Sequence, residues 1–206
     1  MRPCTWLRLA PLLGVVACGG ATDPDPNPSS TPTPDACTSS PSAFATKVTD
    51  WWVPACSLTQ NTYNDPQEAL GPPNAGGFGP LNYTGFISLG FGGRVTLDLG
   101  GCISDRPGPD LRLYQAVGSE PFSVYVSLSP AGPFTLVETR KACGERIDRV
   151  KGYCDVDIAS GGAGQARYVR VEDGELWPCP GDTVSEGADL DAVQALSVPT
   201  SAAPAR

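Results

Sequence analysis

Four aspartates form two pairs whose spacing suits the binding of a metal ion. Asp105 and Asp110 bracket a short Pro/Gly-rich loop between two predicted strands, so both carboxylates can turn toward one point. Asp189 and Asp191 stand two positions apart at the start of the last predicted strand, which places them on one face of a sheet. Calcium prefers several oxygen ligands, and carboxylates supply them. The four residues therefore predict a structural calcium site that ties the last strand to an earlier loop.

Each aspartate pair also has a simpler explanation. Aspartate is a favoured turn residue because its side chain accepts hydrogen bonds from nearby backbone amides, and this explains Asp105 as well as a metal does. Asp191 is harder to explain in this way, because it shares a predicted strand face with Val193 and Ala195, where an unpaired carboxylate would be costly. The calcium hypothesis therefore depends most on Asp110 and Asp191.

Three tryptophans are candidates for contact with a ligand. Trp51, Trp52 and Trp177 lie in Pro-rich or loop-like stretches of the sequence, and an indole ring can stack on the apolar face of a sugar. An equally open alternative is that Trp51 and Trp52 close one end of the hydrophobic core. The tryptophans are thus compatible with a glycan-binding surface without requiring one.

The absence of histidine from the sequence excludes most hydrolase designs. It removes the commonest general base, the Ser-His and Cys-His nucleophile pairs, and the imidazole ligands of catalytic zinc. No nucleophile-elbow motif occurs in the sequence, and no phosphate-binding glycine loop precedes a predicted helix. A glycoside hydrolase with two carboxylates is still compatible with this composition, using for example Glu120 or Glu172. We nevertheless expect a protein without catalytic activity.

The N-terminal residues indicate export and attachment to a lipid. Residues 1–17 combine basic Arg2 and Arg8 with the apolar run Leu9–Ala17, which is typical of a signal peptide. The run continues into Cys18 as Val-Val-Ala-Cys, which resembles the bacterial lipobox, whose cysteine is acylated. The alternative is an ordinary signal peptide followed by a cysteine unrelated to export. We expect Cys18 to carry a lipid that holds the chain at a membrane.

The rest of the chain is predicted to form a tether, one domain and a tail. Residues 18–36 are rich in Pro, Ser and Thr and predict a flexible tether, residues 37–199 predict a domain, and residues 200–206 predict a disordered tail. In lipoproteins of this kind, a residue other than Asp after the acylated cysteine indicates retention at the outer membrane, and that residue is Gly19 here. The formal net charge of −8 makes nucleic acid an improbable partner.

Six cysteines remain for the folded domain once Cys4 is assigned to the signal peptide and Cys18 to the lipid. An even set in an exported, Gly/Pro-rich domain predicts disulfides. Zinc is disfavoured, because the sequence has neither a Cys-x-x-Cys pair nor a histidine. Many connectivities are compatible with the sequence. The one we favour joins Cys37 with Cys56, Cys102 with Cys179, and Cys143 with Cys154.

The elements that must position these residues are predicted to be short strands. The 206 residues include 24 glycines and 22 prolines, which suits many turns and opposes long helices. Val95, Leu97 and Leu99 alternate with polar residues, the period of a sheet with one buried face. The polar, Pro/Gly-rich stretch Asn61–Thr84 predicts a long loop. Further strands are predicted at Ala43–Thr49, Phe86–Leu89, Leu111–Leu113, Val124–Leu128, Phe134–Thr139, Tyr168–Glu172 and Leu190–Val198. About eight strands predict an all-β fold, a β-sandwich of the jelly-roll type.

Several blocks of the sequence resemble a group of bacterial cell surface proteins. They occur in that group in the same order, and they are Asp65-Pro66, Ala69–Pro73, Ser88–Gly90, Gly92-Gly93, Asp105–Asp110, Glu120-Pro121, Ala166–Arg170 and Ala188–Val193. The group is similar to the discoidin-like, galactose-binding-like jelly rolls. The resemblance covers nearly all of the predicted domain, and the Asp105–Asp110 block and residues 189–193 are its most specific parts.

This resemblance implies a fold and a class of ligand. It implies a galactose-binding-like jelly roll, a cysteine pair at Cys143 and Cys154, and Asp65 and Asp173 as further metal ligands. Related jelly rolls bind sugars through aromatic residues in loops, so the resemblance implies a glycan ligand. An adhesion or assembly protein with a protein partner is the alternative. Arg106 stands after Asp105 where the group commonly has glycine, so the geometry of this loop should differ from the group's.

Overall fold

The segments with alternating apolar residues form β-strands, each with one face in the core. The computed structural model describes residues 37, 39–54, 63–76, 83–116, 120–143, 145–146, 151–174 and 187–196. The strands of this part of the chain are β1 (Lys47–Trp52), β2 (Ile87–Ser88), β3 (Arg94–Ser104), β4 (Leu111–Ala116), β5 (Phe122–Ser127), β6 (Thr135–Lys141), β7 (Glu145–Arg146), β8 (Lys151–Val156), β9 (Gln165–Asp173) and β10 (Asp189–Ala195). Two short 3₁₀ helices are found at Pro66–Ala69 and Ile158–Gly161.

The strands form two antiparallel sheets. Sheet I has five strands in the order β1-β3-β9-β5-β6, and sheet II has five in the order β2-β10-β4-β8-β7. Strands from the start of the domain pair with strands from its end, as β2 does with β10 and β3 with β9. The chain also passes repeatedly from one sheet to the other, as in a jelly roll. The predicted all-β sandwich is confirmed.

The core lies between the two sheets. Val95, Leu97 and Leu99 of β3 are fully buried, and so are Val169 and Val171 of β9, the strand beside it. Sheet II contributes fully buried residues of its own, Leu111, Leu113, Leu190 and Val193. Because side chains alternate between the two faces of a strand, the residues between these apolar positions lie on the outer faces. The outer faces are therefore set by the same pattern that sets the core.

Several strands run over other residues than the sequence predicted. β1 runs over Lys47–Trp52 rather than Ala43–Thr49, so Trp51 and Trp52 lie in a strand and not in a loop. The stretch between Cys143 and Cys154, where no strand was predicted, contains β7 and most of β8. β10 ends at Ala195, and Leu128 falls after β5 and is exposed instead of following the buried face.

The disulfides confirm one predicted pair and correct two. Cys143 is bonded to Cys154, with Cα atoms 4.7 Å apart. Cys37 is bonded to Cys102, with Cα atoms 5.4 Å apart, so its predicted pairing with Cys56 is wrong, and so is that of Cys102 with Cys179. Backbone bonds explain the difference, because the amide of Cys102 donates to the carbonyl of Ser39 at 2.9 Å and brings the start of the domain beside β3. Cys56 and Cys179 lie outside the described residues.

The predicted signal peptide, the lipidation site at Cys18, the tether up to residue 36 and the tail at 200–206 also lie outside the described residues. Within the part of the chain that the structure describes, no helix has the length and apolar character needed to span a bilayer.

Candidate functional site

Asp105 and Asp110 come together as predicted, with a third aspartate that the sequence reasoning missed. One carboxylate oxygen from each of Asp105, Asp110 and Asp157 lies within 4.8 Å of the others. Asp110 precedes β4 and Asp157 follows β8, and these strands pair with Leu111 opposite Val156. The two aspartates are therefore neighbours across the end of an antiparallel pair. Recognising β8 as the partner of β4 would have revealed Asp157.

Backbone amides hold this group in place. Asp110 is fully buried, and its two oxygens accept N–H bonds from Arg106 and Ile158, each at 3.2 Å. Burial raises the pKa of Asp110, while these hydrogen bonds lower it and the charges of Asp105 and Asp157 raise it further. Asp157 caps the second 3₁₀ helix by accepting the amide of Ala159 at 2.8 Å. The aspartates are thus turn and cap residues as well as an all-oxygen group that could hold a cation.

Asp189 and Asp191 do not belong to this group, although the sequence placed all four aspartates together. The pairing of β10 with β4 shifts register between Leu190 and Ala192, so the strand is irregular at Asp191 and the predicted alternation fails there. Asp191 is fully buried and accepts the amide of Asn74 at 2.9 Å. It therefore ties β10 to the segment between β1 and β2.

Asp189 lies in a buried acidic environment of its own. Its carboxylate is hydrogen-bonded to the hydroxyl of Ser88 on β2. Burial, together with the nearby charges of Glu120 and Asp173, raises the pKa of Asp189 to about 8, against the lowering effect of the hydrogen bond from Ser88. Asp173 itself accepts the amides of Gly92 at 3.1 Å and Ala188 at 2.7 Å. Asp65, the other ligand implied by the resemblance, caps the first 3₁₀ helix through the amide of Gln67.

A second candidate site covers one end of the outer face of sheet I. The register places Trp52 beside Arg94 and Arg94 beside Glu172. The next row of paired residues runs from Asp50 through Thr96 to Arg170. We call this surface the sheet I platform, and its residues are Asp50, Trp52, Arg94, Tyr125, Phe134, Arg170 and Glu172. The sequence could have indicated this surface through the polar residues that alternate with the core residues. Arg94 stands next to buried Val95, and Arg170 stands between buried Val169 and Val171.

The charged residues of the platform are partly open to solvent and contact one another. Arg94 Nε lies 3.4 Å from Asp50 Oδ2, and Arg170 lies 3.9 Å from the same oxygen and 4.0 Å from Glu172. Arg170 also donates to the hydroxyl of buried Thr96 at 3.1 Å. Burial raises the pKa of Tyr125, and the charge of Glu172 and a hydrogen bond to it raise it further. The side chains are therefore held in place without being covered.

Aromatic rings flank these ion pairs. The Arg94 guanidinium lies 5.8 Å from the ring centre of Trp52, and that of Arg170 lies 3.9 Å from the ring centre of Phe134. At the other end of the same face, Arg167 donates to both oxygens of Asp98 at 2.9 and 3.0 Å. That pair is bidentate and shorter than the ion pairs at the end that carries Trp52.

The structure separates the two tryptophans that the sequence grouped. Trp52 pairs with Arg94 on the outer face and is 49% exposed, whereas Trp51 pairs with the core residue Val95 and is 40% exposed. Neighbours along a strand point to opposite faces, so the two indoles belong to different surfaces. Trp177 lies outside the described residues. Among the predicted tryptophans, Trp52 is thus the one placed on the platform.

The two glutamates considered for catalysis have other contacts. Glu172 belongs to the ion pairs of the platform. Glu120 accepts bonds from the Gln115 amide through its backbone carbonyl at 2.9 Å and its carboxylate at 3.4 Å.

Comparison with known proteins yields a distant structural likeness. No protein-family model matches the chain, and no curated protein sequence matches it. Among solved structures, the chain is similar to the CBM32 of AlyQ in complex with 4,5-unsaturated mannuronic acid, with 17% sequence identity and a TM-score of 0.36. The match covers 52% of this chain and 73% of that chain.

Proposed function

We propose that this chain is a surface lipoprotein, anchored through Cys18, whose β-sandwich binds glycans on the sheet I platform and is stabilised by calcium. The observation that carries the glycan proposal is the half-exposed indole of Trp52 beside Arg94 and Asp50. Exposed aromatic rings supply apolar area for a sugar ring, and the charged groups around them can donate or accept hydrogen bonds from hydroxyls. No catalytic step is part of the proposal.

A glycan array tests this proposal with a control that the chain itself provides. The wild-type protein should bind a subset of the glycans, and Trp52→Ala should abolish that binding. Trp51→Ala is the matched control, because it removes a neighbouring indole of similar exposure from the other face of the same strand. Silence of the wild-type protein across the array would refute glycan binding and favour a protein partner. Equal losses in both variants would refute the platform as the site.

The calcium proposal rests on the chemistry of the donors Asp105, Asp110 and Asp157. Their side chains offer only oxygen atoms to an ion, which suits calcium. An ionised carboxylate keeps further lone pairs after it accepts one N–H bond. These residues would hold the ion where the Asp105–Asp110 loop meets the end of β8. A bound cation would offset the mutual repulsion of the three carboxylates.

Thermal unfolding tests the calcium proposal. Calcium should raise the Tm of the protein, a chelator should lower it, and Asp157→Asn should abolish the difference. Asp65→Asn is the control, since Asp65 caps a different helix. An identical Tm with calcium and with chelator would sink this part of the proposal.

The anchor proposal rests on the first 18 residues of the sequence, where the predicted signal peptide of residues 1–17 is followed directly by Cys18. Cys18→Ser should move the protein from the detergent phase to the aqueous phase in detergent partitioning. Cys4→Ser should leave the partitioning unchanged, because Cys4 lies within the predicted signal peptide. A Cys18→Ser variant that still enters the detergent phase would show that lipidation of this residue is not the anchor.

A further inference from the structure

The charges of the sheet I platform balance one another. Its two arginines, Arg94 and Arg170, face two carboxylates, Asp50 and Glu172, in contacts of 3.4 to 4.0 Å. The platform is therefore locally neutral in a chain whose formal net charge is −8. An anionic ligand would have to compete with the carboxylates for the arginines, and a cationic ligand would have to compete in the opposite sense. A hydroxyl needs no such exchange, because it donates to a carboxylate and accepts from a guanidinium.

The aromatic rings of the platform come from opposite edges of the sheet. Trp52 belongs to β1 and Phe134 immediately precedes β6, and these are the two edge strands of sheet I. The Phe134 ring reaches inward from its edge, because the guanidinium beside it also donates to Thr96 on β3. The Trp52 ring adjoins Arg94 on β3, and the Phe134 ring adjoins Arg170 on β9. The ion pairs thus form a polar strip between two stacking positions.

We infer that the sheet I platform binds an uncharged, linear oligosaccharide or polysaccharide through several consecutive sugar units. This inference rests on the proposed function and specifies its ligand class. Sugar rings stack on Trp52 and Phe134, and the units between them place their hydroxyls over Asp50, Arg94 and Glu172. The chain lies across the strands, because the residues that contact it come from successive strands of sheet I.

The platform is built to bind without rearrangement. Arg170 is held by Thr96 as well as by the carboxylates, and Glu172 is held by Tyr125. Fixing such side chains before the ligand arrives reduces the entropy that binding must overcome. A ligand that reaches only one ring uses only part of this surface. Affinity should therefore depend on the length of the glycan.

Calorimetric titration of the full chain, in a detergent without a sugar headgroup, tests the inference. The probes are neutral oligosaccharides from one to six units in several linkage series, together with oligomers of uronic acid. For the neutral series that binds, the Kd should fall at least about ten-fold between the disaccharide and the tetrasaccharide and then level off. Added salt should leave this Kd nearly unchanged, because no net charge is neutralised.

Variants at the two rings locate the binding. Trp52→Ala and Phe134→Ala should each raise the Kd of the hexasaccharide about ten-fold or more, and each should flatten the dependence on length. Trp51→Ala should do neither. Because truncation of a side chain can disturb folding, Trp52→Phe serves as a second variant, which keeps a ring and should retain most of the affinity. Thermal melts of each variant confirm that it is folded.

Three outcomes would overturn the inference while leaving glycan binding intact. A monosaccharide that binds as tightly as the hexasaccharide would show that one sugar unit fills the site. Uronic acid oligomers that bind more tightly, with strong salt dependence, would show that the ligand is anionic. Length-dependent binding that survives both Trp52→Ala and Phe134→Ala would place the site elsewhere. Failure of every glycan to bind would refute the proposed function and this inference together.

Discussion

The outer faces of the two sheets use similar residue types in different ways. On sheet II, Arg112 donates to both oxygens of Asp155 at 2.7 and 2.9 Å and covers the ring of Tyr153 at 4.1 Å. On the sheet I platform, the contacts of the arginines with carboxylates are longer, between 3.4 and 4.0 Å, and several partners share each charge. In a bidentate pair the guanidinium and the carboxylate use their hydrogen-bonding groups on each other. In the longer, shared pairs these groups keep donors and acceptors that another molecule can bind.

The aromatic residues differ in the same way. Tyr114 of sheet II is only 8% exposed, lies 6.5 Å from Phe44 and 6.4 Å from Tyr153 between ring centres, and donates its hydroxyl to Gln194 at 2.7 Å. Trp52 on sheet I is 49% exposed. The aromatic ring of Tyr114 on sheet II is therefore used in packing, whereas part of the Trp52 ring on sheet I is open to solvent. The comparison assigns stability to one face and recognition to the other.

The largest effect on stability is expected on sheet II. Tyr114→Ala should lower the free energy of unfolding by about 3 kcal/mol, because a packed, nearly buried ring is lost. Tyr114→Phe should cost only about 1 kcal/mol, the hydrogen bond to Gln194. Urea denaturation measures both values. A cost of Tyr114→Ala no larger than that of Trp52→Ala would break the comparison.

The next effect concerns Asp189, a buried carboxyl of sheet II. Because burial raises the pKa of Asp189 to about 8 from 3.8, the folded protein holds a proton that the unfolded chain has lost over this range. The stability from this group is complete below about pH 4 and declines as pH rises toward 8. The loss between pH 5 and pH 8 should be on the order of 3 kcal/mol.

Asp189→Asn should remove this pH dependence, because an amide does not titrate. Denaturation at a series of pH values measures the slope for each variant. Glu172→Gln on the platform is the control and should leave the slope in place, since Glu172 is partly exposed and lies beside Arg170. Parallel slopes for wild type and Asp189→Asn would show that another group is responsible.

Smaller effects are expected for the ion pairs of the two faces. A double-mutant cycle on Arg112 and Asp155 should give a coupling energy of about 1 kcal/mol, since the pair is bidentate and partly buried. The same cycle on Arg94 and Asp50 should give less than about 0.5 kcal/mol, as exposed pairs usually do. Equal coupling energies would remove the contrast between bidentate and shared pairs.

The smallest effect on stability is expected at the platform itself. Trp52→Ala should change the free energy of unfolding by less than about 0.5 kcal/mol, because the indole is half exposed at an edge strand. The same substitution should weaken glycan binding about ten-fold or more. Urea denaturation and binding assays on one preparation measure both quantities. A large loss of stability would mean that Trp52 serves packing more than recognition.

Sequence alone could predict the strands whose alternation is strong. The pattern of Val95, Leu97 and Leu99 predicts β3 because its inward residues are large and apolar and its outward ones are polar. β8 was missed because its inward positions include Gly152 and Cys154, which do not stand out as an apolar face. The predicted bounds of β1 were shifted because it is an edge strand with no fully buried residue, so burial does not enforce a period there.

The candidate sites could be predicted only where neighbours in sequence are neighbours in space. Asp105 and Asp110 flank one loop, and they do meet. Asp191 was placed by assuming regular alternation, which an irregular pairing of β10 breaks. The platform joins residues from several strands, so its assembly required the order and register of the sheet. The partner of Cys37 likewise depends on a contact between distant parts of the chain.

The bond between Cys37 and Cys102 determines where mechanical load would enter the domain. If Cys18 is anchored by a lipid as proposed, a pull on the bound ligand would be transmitted along the preceding residues of the chain to Cys37. The covalent bond passes that force directly to β3, which lies between β1 and β9 and spans 11 residues. Residues 39–46 and edge strand β1 are then spared from being peeled away. A pulling force on the anchored protein would therefore act on β3, an interior strand of the sheet that carries the platform.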